Sequence, residues 1–273
     1  MIERVMMKKY VVLIGCLIAL VAPLCFAQTM LKIESQGVQL DGYFYTASSS
    51  KAPTLVALHG CGGMLNRQGK PNLRTMAYSK LLNEQGWHVL FLDSFTPRGV
   101  KSVCGGTNQI AQSTRVADVQ AVVAFLATRP EIDAKRIGVM GWSHGATTTL
   151  LADGVDVAYA TPVVAFAHFY PGCGSPEAQR RWTPAKPLLM QVGALDDWTD
   201  PVPCQRLASR FPKMIELKTY ANAYHDFDTD EPVRERKDIT SRLTGKPAHA
   251  GGEPVAKAAS QARLIAFFKE HFR

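Results

Sequence analysis

A mostly parallel α/β sheet of about eight strands, with helices on both faces, is the architecture the sequence predicts. Three features predict it. Residues 54–58 (TLVAL) and 87–92 (WHVLFL) are short apolar runs of strand length without alternation, as strands covered on both faces should be. Segments with helical spacing separate such runs. A strand followed by a helix and then another strand implies parallel pairing through right-handed crossovers.

The first 27 residues stand apart from this core. Arg4, Lys8 and Lys9 oppose a single Glu3, residues 11–26 are apolar but for Gly15 and Pro23, and Cys25-Phe26-Ala27 offers a small-x-small cleavage point before Gln28. Basic head, short apolar run and small-residue site in this order read as a secretory signal peptide. A span needs about 20 apolar residues, and Pro23 interrupts this shorter run, so cleavage and export are expected rather than a retained anchor. Leu13-Ile14-Gly15-Cys16 also resembles a lipoprotein cleavage box, but little apolar chain precedes it. Residues 28–273 are then expected to form one domain with no stable membrane insertion, secreted or periplasmic.

Within that domain, residues 31–36 and 38–45 alternate apolar and polar side chains and predict an antiparallel pair at a sheet edge. The first buried strand is 54–58. Residues 72–85 carry Leu73, Met76, Leu81 and Leu82 at helical spacing and stop at Gly86. The second buried strand is 87–92. Residues 109–128 place Val116, Val119, Val123 and Leu126 on one helical face and end before Pro130. Residues 136–141 are a third buried strand, followed by a turn and helix-compatible residues. Residues 162–169, 187–192 and 214–220 give three more strands, and 256–272 a last amphipathic helix with Leu264, Ile265, Phe268 and Phe272. Residues 229–254 are a long polar stretch beside His225 that reads either as a segment shaping the site entrance or, equally, as a solvated loop.

Charge narrows the partners. The chain has 31 Lys+Arg and 23 Asp+Glu, net +8, and loss of Arg4, Lys8, Lys9 and Glu3 with the leader leaves +6. These charges are scattered, with no basic helix or aromatic-interleaved stripe, so nucleic-acid binding is not expected. A mild attraction to anionic surfaces is all they imply.

Ligands of open α/β sheets bind beyond the carboxyl ends of the strands. There lies Gly141-Trp142-Ser143-His144-Gly145, a G-x-S-x-G between a strand and a helix, the context of a nucleophile elbow. The five letters arise easily by chance, so the rest of the chain has to support them. A neutral serine needs a base. Of seven histidines, His88 and His168 lie inside strands, His59 shares a tight turn with Gly60, His144 should point away from the serine, and His249 and His271 fall in a polar loop and a terminal helix. His225, in a loop just past strand 214–220, is the expected base. The base needs an acid to fix its tautomer. Asp196 follows strand 187–192 and is preferred, with Asp197 as the alternative; Asp200 reads as a cap for the helix starting at Pro201. The oxyanion needs N–H donors, expected from His144 and from Cys61 in the glycine-rich "LHGCGG". Trp142, Trp198, Phe169, Tyr170 and Tyr224 flank these positions and are candidates for an apolar acyl pocket or, equally, for core.

The order Ser143, Asp196, His225 is that of the α/β-hydrolase fold. Through "LHGCGG", "GWSHG", "GALDDWTDP" and "YHDFD", most of residues 30–273 resemble the dienelactone hydrolase family. The resemblance implies a hydrolase with these three residues as its triad. The founding enzymes carry a cysteine nucleophile where this chain has Ser143. "LHGCGG" is also similar to a loop of secreted polyester and feruloyl esterases, so the expected substrate is a small carboxylic ester or lactone. Cleavage of peptides or thioesters, or acyl transfer, would use the same groups; a non-catalytic binding protein on this fold is the remaining alternative. No cofactor and no metal are expected: Cys61, Cys104, Cys173 and Cys204, the four cysteines beyond the leader, form no C-x-x-C and lie near no His pair. In an exported protein an even number favours disulfides. Loops leaving one sheet edge after neighbouring strands predict Cys61–Cys104 and Cys173–Cys204, against the alternative of four free thiols.

Overall fold

The computed structural model describes residues 28–106 and 110–273. Residues 1–27, which the sequence predicts to be a signal peptide, and Gln109 at the start of the second predicted helix, lie outside the described residues. Strands β1 (Gln28–Ser35) and β2 (Val38–Tyr45) pair antiparallel. Gln36 and Gly37 join them, both at positive φ (51° and 77°), as a two-residue hairpin turn requires. The other strands of the main sheet are β3 (Ala52–Leu58), β4 (His88–Asp93), β5 (Ile132–Trp142), β6 (Val163–Phe169), β7 (Leu188–Gly193) and β8 (Ile215–Tyr220). The eight run in the order β1-β2-β4-β3-β5-β6-β7-β8. β2 is antiparallel to β4, and β4 through β8 are parallel.

The helices are α1 (Leu73–Asn83), α2 (Gln112–Ala127), α3 (His144–Ala152), the short α4 (Gly174–Ala178), α5 (Val202–Arg210) and α6 (Pro254–His271). They divide between the two faces because strand side chains alternate. Val56, Leu58, Ile137 and Val139 meet Val119, Val123 and Leu126 of α2 and Leu207 of α5. Leu55, Ala57, Met140 and Trp142 meet Tyr78 and Leu82 of α1 and Leu264, Phe267 and Phe268 of α6.

Two expectations about elements need correction. In α1, Leu73 and Met76 are exposed (77% and 55%) and the buried residues are Thr75, Tyr78, Ser79, Leu82 and Asn83. The helix buries a largely polar face because Asn83 donates to the carbonyls of Tyr45 and Trp87, at 3.3 and 2.6 Å, tying it to the chain around β4. The stretch 229–254 is not simply a loop. It contains an antiparallel hairpin, β9 (Arg234–Thr240) and β10 (Pro247–Ala250). β9 has a single buried residue, Ile239, so no apolar alternation marks it in the sequence. The hairpin is held by its neighbours: the His249 N–H donates to Asp197 (2.8 Å), the Gly251 N–H to the carbonyl of His225 (2.8 Å), and Ala250 bridges to His225.

Candidate active site

β5 ends at Trp142 and α3 begins at His144, leaving Ser143 in the turn at φ 51°, ψ −116°. This conformation costs a non-glycine residue about 1–3 kcal/mol, so the surroundings must impose it. They do so through Gly141 and Gly145. A Cβ on Gly141 would lie 2.6 Å from the carbonyl of Gly145, and one on Gly145 would collide with the carbonyl oxygens of Leu58 and His59. Only this spacing of glycines lets strand, helix and the β3 exit loop pass so close.

The turn delivers Ser143 to His225. The serine Oγ lies 2.9 Å from His225 Nε2, and His225 Nδ1 lies 2.8 Å from Asp196 Oδ2. Asp196 is itself fixed: Oδ1 accepts from the N–H groups of Trp198 (2.9 Å) and Thr199 (2.8 Å), and Oδ2 from the Thr199 hydroxyl (2.8 Å). With Nδ1–H donating to the carboxylate, Nε2 is left to accept from the serine. Burial opposes the charged imidazolium of His225, but the Asp196 carboxylate and its hydrogen bond outweigh it, so the pKa is raised. The arrangement can pass a proton from a hydroxyl to an imidazole and hold the resulting charge.

The other histidines are elsewhere. Burial, then the Arg115 charge, pushes His144 down to about 3, and its ring meets Arg115 at 2.8 Å. His168 is pushed to about 3 by burial and meets the Thr149 hydroxyl. His88 Nδ1 accepts from the N–H of Ala47. His249 is paired with Asp197 at 2.8 Å, which takes the alternative acid away from His225. Asp200 accepts the N–H of Val202 at the start of α5.

Of the two N–H donors expected for an oxyanion, that of His144 is at the first position of α3, ahead of the helix's own hydrogen-bond ladder. The other belongs to Cys61. A Cβ on Gly60 would sit 3.6 Å from Ser143 Cβ, so this loop runs beside the serine. The Gly60 carbonyl accepts from His59 Nδ1 (2.7 Å) and the Gly63 N–H (3.3 Å). Because the peptide is trans, the Cys61 N–H points the opposite way. Cys61 is bonded to Cys104 and Cys173 to Cys204, with Cα atoms 4.8 and 5.1 Å apart. These are the pairs anticipated from the strand order.

The pocket candidates divide. Trp142 is core: it stacks against Phe91 and Phe169, 5.9 and 5.8 Å between centroids, and its Nε1–H donates to Asp228 (2.8 Å). Strand alternation places it on the same face as Met140, inside the sheet. Phe169 is buried in the same cluster. Tyr170 is fully buried; its ring lies 4.5 Å from that of His225 and its hydroxyl donates to Asp228 (2.7 Å), so it backs the imidazole instead of lining a pocket. Trp198 is half-buried, 4.6 Å from the His225 ring, with the Arg236 guanidinium 4.7 Å from its own ring. Tyr224 packs on His249 at 5.1 Å.

Sequence reasoning missed Thr199, Asp228, Arg74 and Arg115. Thr199 had a local signal, since Asp-x-x-Thr is the spacing at which a side chain caps a turn. Asp228 had none. It accepts from Trp142, Tyr170 and Arg74 (3.3 Å), and Arg74 also bonds Asp226 (2.7 Å), the left-handed residue (φ 62°) after His225.

A family model described as the dienelactone hydrolase family matches residues 40–272. The chain belongs to the dienelactone hydrolase family. As a member it is a hydrolase acting on ester bonds. Among solved structures, a dienelactone hydrolase from Anabaena variabilis is 15% identical with a TM-score of 0.64, covering 91% of this chain and 99% of that one. The esterase Pf2001 of Pyrococcus furiosus is 19% identical with a TM-score of 0.61, covering 91% and 94%. Esterase 2 of Thermogutta terrifontis, phosphorylated by paraoxon, is 15% identical with a TM-score of 0.61, covering 88% and 92%. At these identities the likeness is one of fold. No curated protein matches the chain.

Proposed function

We propose that this dienelactone hydrolase family member is an exported serine esterase that cleaves a small carboxylic ester or lactone through an acyl-enzyme. The observation that carries the reading is the continuous hydrogen-bonded line from Ser143 Oγ through His225 to Asp196. Ser143 Oγ bonds the acyl carbon as its proton passes to His225 Nε2, and the carbonyl π electrons move onto oxygen. The N–H groups of Cys61 and His144 stabilise that oxyanion. When the C=O reforms, the alkoxide leaves with the proton held by His225. Water then repeats the sequence on the acyl-enzyme, giving the acid and free Ser143. Asp196 stabilises the imidazolium in both halves.

Export is supported by the leader-like residues 1–27 and by the two disulfides, which persist in oxidising compartments. Among the described residues no helix is long and apolar enough to cross a membrane.

The reading is tested with Ser143→Ala. Turnover of p-nitrophenyl acetate and of a lactone panel should fall about 10⁴-fold or more, and a fluorophosphonate should label wild type at Ser143 but not the variant. More than a tenth of wild-type turnover in the folded variant would refute it.

A further inference from the structure

We infer that Arg115 is the positioning residue of the oxyanion hole, its buried guanidinium bridging the two segments that carry the N–H donors. This rests on the serine-esterase reading above. Arg115 lies in α2, is fully buried, and has no carboxylate within ion-pair distance among the described residues; neighbouring Asp118 is taken by Arg98 at 2.7 Å. A buried guanidinium without an anion is costly unless its hydrogen bonds are satisfied.

Arg115 spends two of its nitrogens on the candidate site. One donates to the His59 carbonyl at 2.9 Å and another to His144 Nδ1 at 2.8 Å, while its Nε has no acceptor. The Phe95 ring, 4.9 Å away, supplies a cation–π contact. His59 continues the chain of contacts, since its ring holds the Gly60 carbonyl and so orients the Cys61 N–H. His144 carries the other donor. One guanidinium therefore fixes both donors relative to each other, across the gap between the β3 exit loop and α3. Burial lowers its pKa to about 9, with Asp118 and Asp93 the groups that raise it, so it remains a cation at neutral pH. The ring of His144 is neutral there, as an acceptor must be. The positive charge lies between the two segments that carry the proposed donors, held there by the His59 carbonyl and the His144 ring before any charge forms on a substrate. Its effect should thus be larger on the transition state than on bound substrate.

The test compares wild type, Arg115→Gln and Arg115→Lys, whose single ammonium cannot span both partners. Each is assayed for kcat and KM on p-nitrophenyl acetate and for inhibition by a boronic acid that adds to the serine as a tetrahedral anion. We expect kcat to fall about 10- to 100-fold in both variants, with KM within about threefold. Boronate affinity should fall in proportion to kcat/KM. A merely structural arginine would lower Tm without separating kcat from KM. Should the Arg115 variants not fold, His144→Ala removes one end of the bridge at a half-buried position, and the same fall in kcat and boronate affinity is expected there. Wild-type kcat and boronate affinity in any folded variant of either residue would overturn the inference. Fluorophosphonate labelling separates the two failures: an unlabelled wild-type Ser143 sinks the esterase reading, whereas a labelled Ser143 with undisturbed variants sinks only the role of Arg115.

Discussion

Ser143, Tyr170 and Asp226 are three of the five non-glycine residues with positive φ among the described residues, and all three meet around His225. Strain of this kind persists only where neighbours over-determine it. Here the neighbours are two glycines for Ser143, and the Asp228 carboxylate for Tyr170 and, through Arg74, for Asp226. The imidazole is thus held from the serine side, from Asp196 and from behind. Its raised pKa has a direct kinetic sign. His225 accepts the serine proton only when neutral, so kcat/KM should rise with pH with a midpoint above the ordinary value of about 6.5. A pH–rate profile whose midpoint lies below 6.5 would contradict this. Asp196→Asn leaves the carbonyl in place but favours the wrong tautomer, and should cost about 10⁴-fold in kcat. Asp197→Asn disturbs only the His249 contact and should cost far less; steady-state assays of the two variants decide between the carboxylates.

The elements that bear these residues are not equally secured by packing. α2, α3 and α6 bury apolar faces on the sheet, but the loops after β3 and β6 carry glycines and polar groups and need other anchors. The disulfides supply them. Cys61–Cys104 ties the proposed oxyanion loop to the segment after β4, and Cys173–Cys204 ties the loop after β6 to α5, beyond the turn holding Asp196. With sequence separations of 43 and 31, the chain-entropy relation gives about 4 kcal/mol for each. For a domain of this size that corresponds to roughly 10 °C in Tm. Cys173→Ala with Cys204→Ala should lower Tm by about that amount and leave kcat within a few-fold. Cys61→Ala with Cys104→Ala should lower Tm similarly and also reduce kcat, because the Cys61 N–H is then less well placed. Calorimetry and kinetics on both pairs test the division. The β9–β10 hairpin is anchored without a disulfide, through Asp197, Trp198 and the backbone of His225, and so is tied to the loops that bear Asp196 and His225.

In the molecule as a whole, the parallel sheet gathers these loops at one edge. β5, β6, β7 and β8 pair parallel as successive neighbours, so the turns bearing Ser143, Tyr170, Asp196 and His225 leave the sheet side by side although 82 residues separate the serine from the histidine. Two disulfides in such a framework fit a chain that folds after export. If export is right, the full chain expressed in a bacterium should be recovered from the periplasm with Gln28 as its first residue and without free thiols; intact-mass analysis reads both. A product retaining residues 1–27, or four free thiols, would contradict the export proposal.

Local chemistry was enough to read most of the framework. Apolar runs of strand length marked β3 to β7, whose residues are buried on both faces, and alternation of apolar and polar residues marked the edge pair β1 and β2. G-x-S-x-G was legible because the turn admits no Cβ at its two ends. The order Ser143, Asp196, His225 followed from where polar loops succeed strands. What the chain could not show is what depends on partners distant in sequence. Thr75 and Asn83 are buried and Leu73 exposed in α1 because their neighbours are decided by docking, not by periodicity. β9 has too few apolar residues to announce a strand and forms against β10. Trp142 is core, and not pocket, because β6 and α1 close over it. Arg115 and Asp228 look like ordinary surface charges in the sequence. Each becomes a buried hub only when two faces of the fold meet around it, since a buried charge must find its hydrogen-bond partners in whatever the tertiary structure brings within reach.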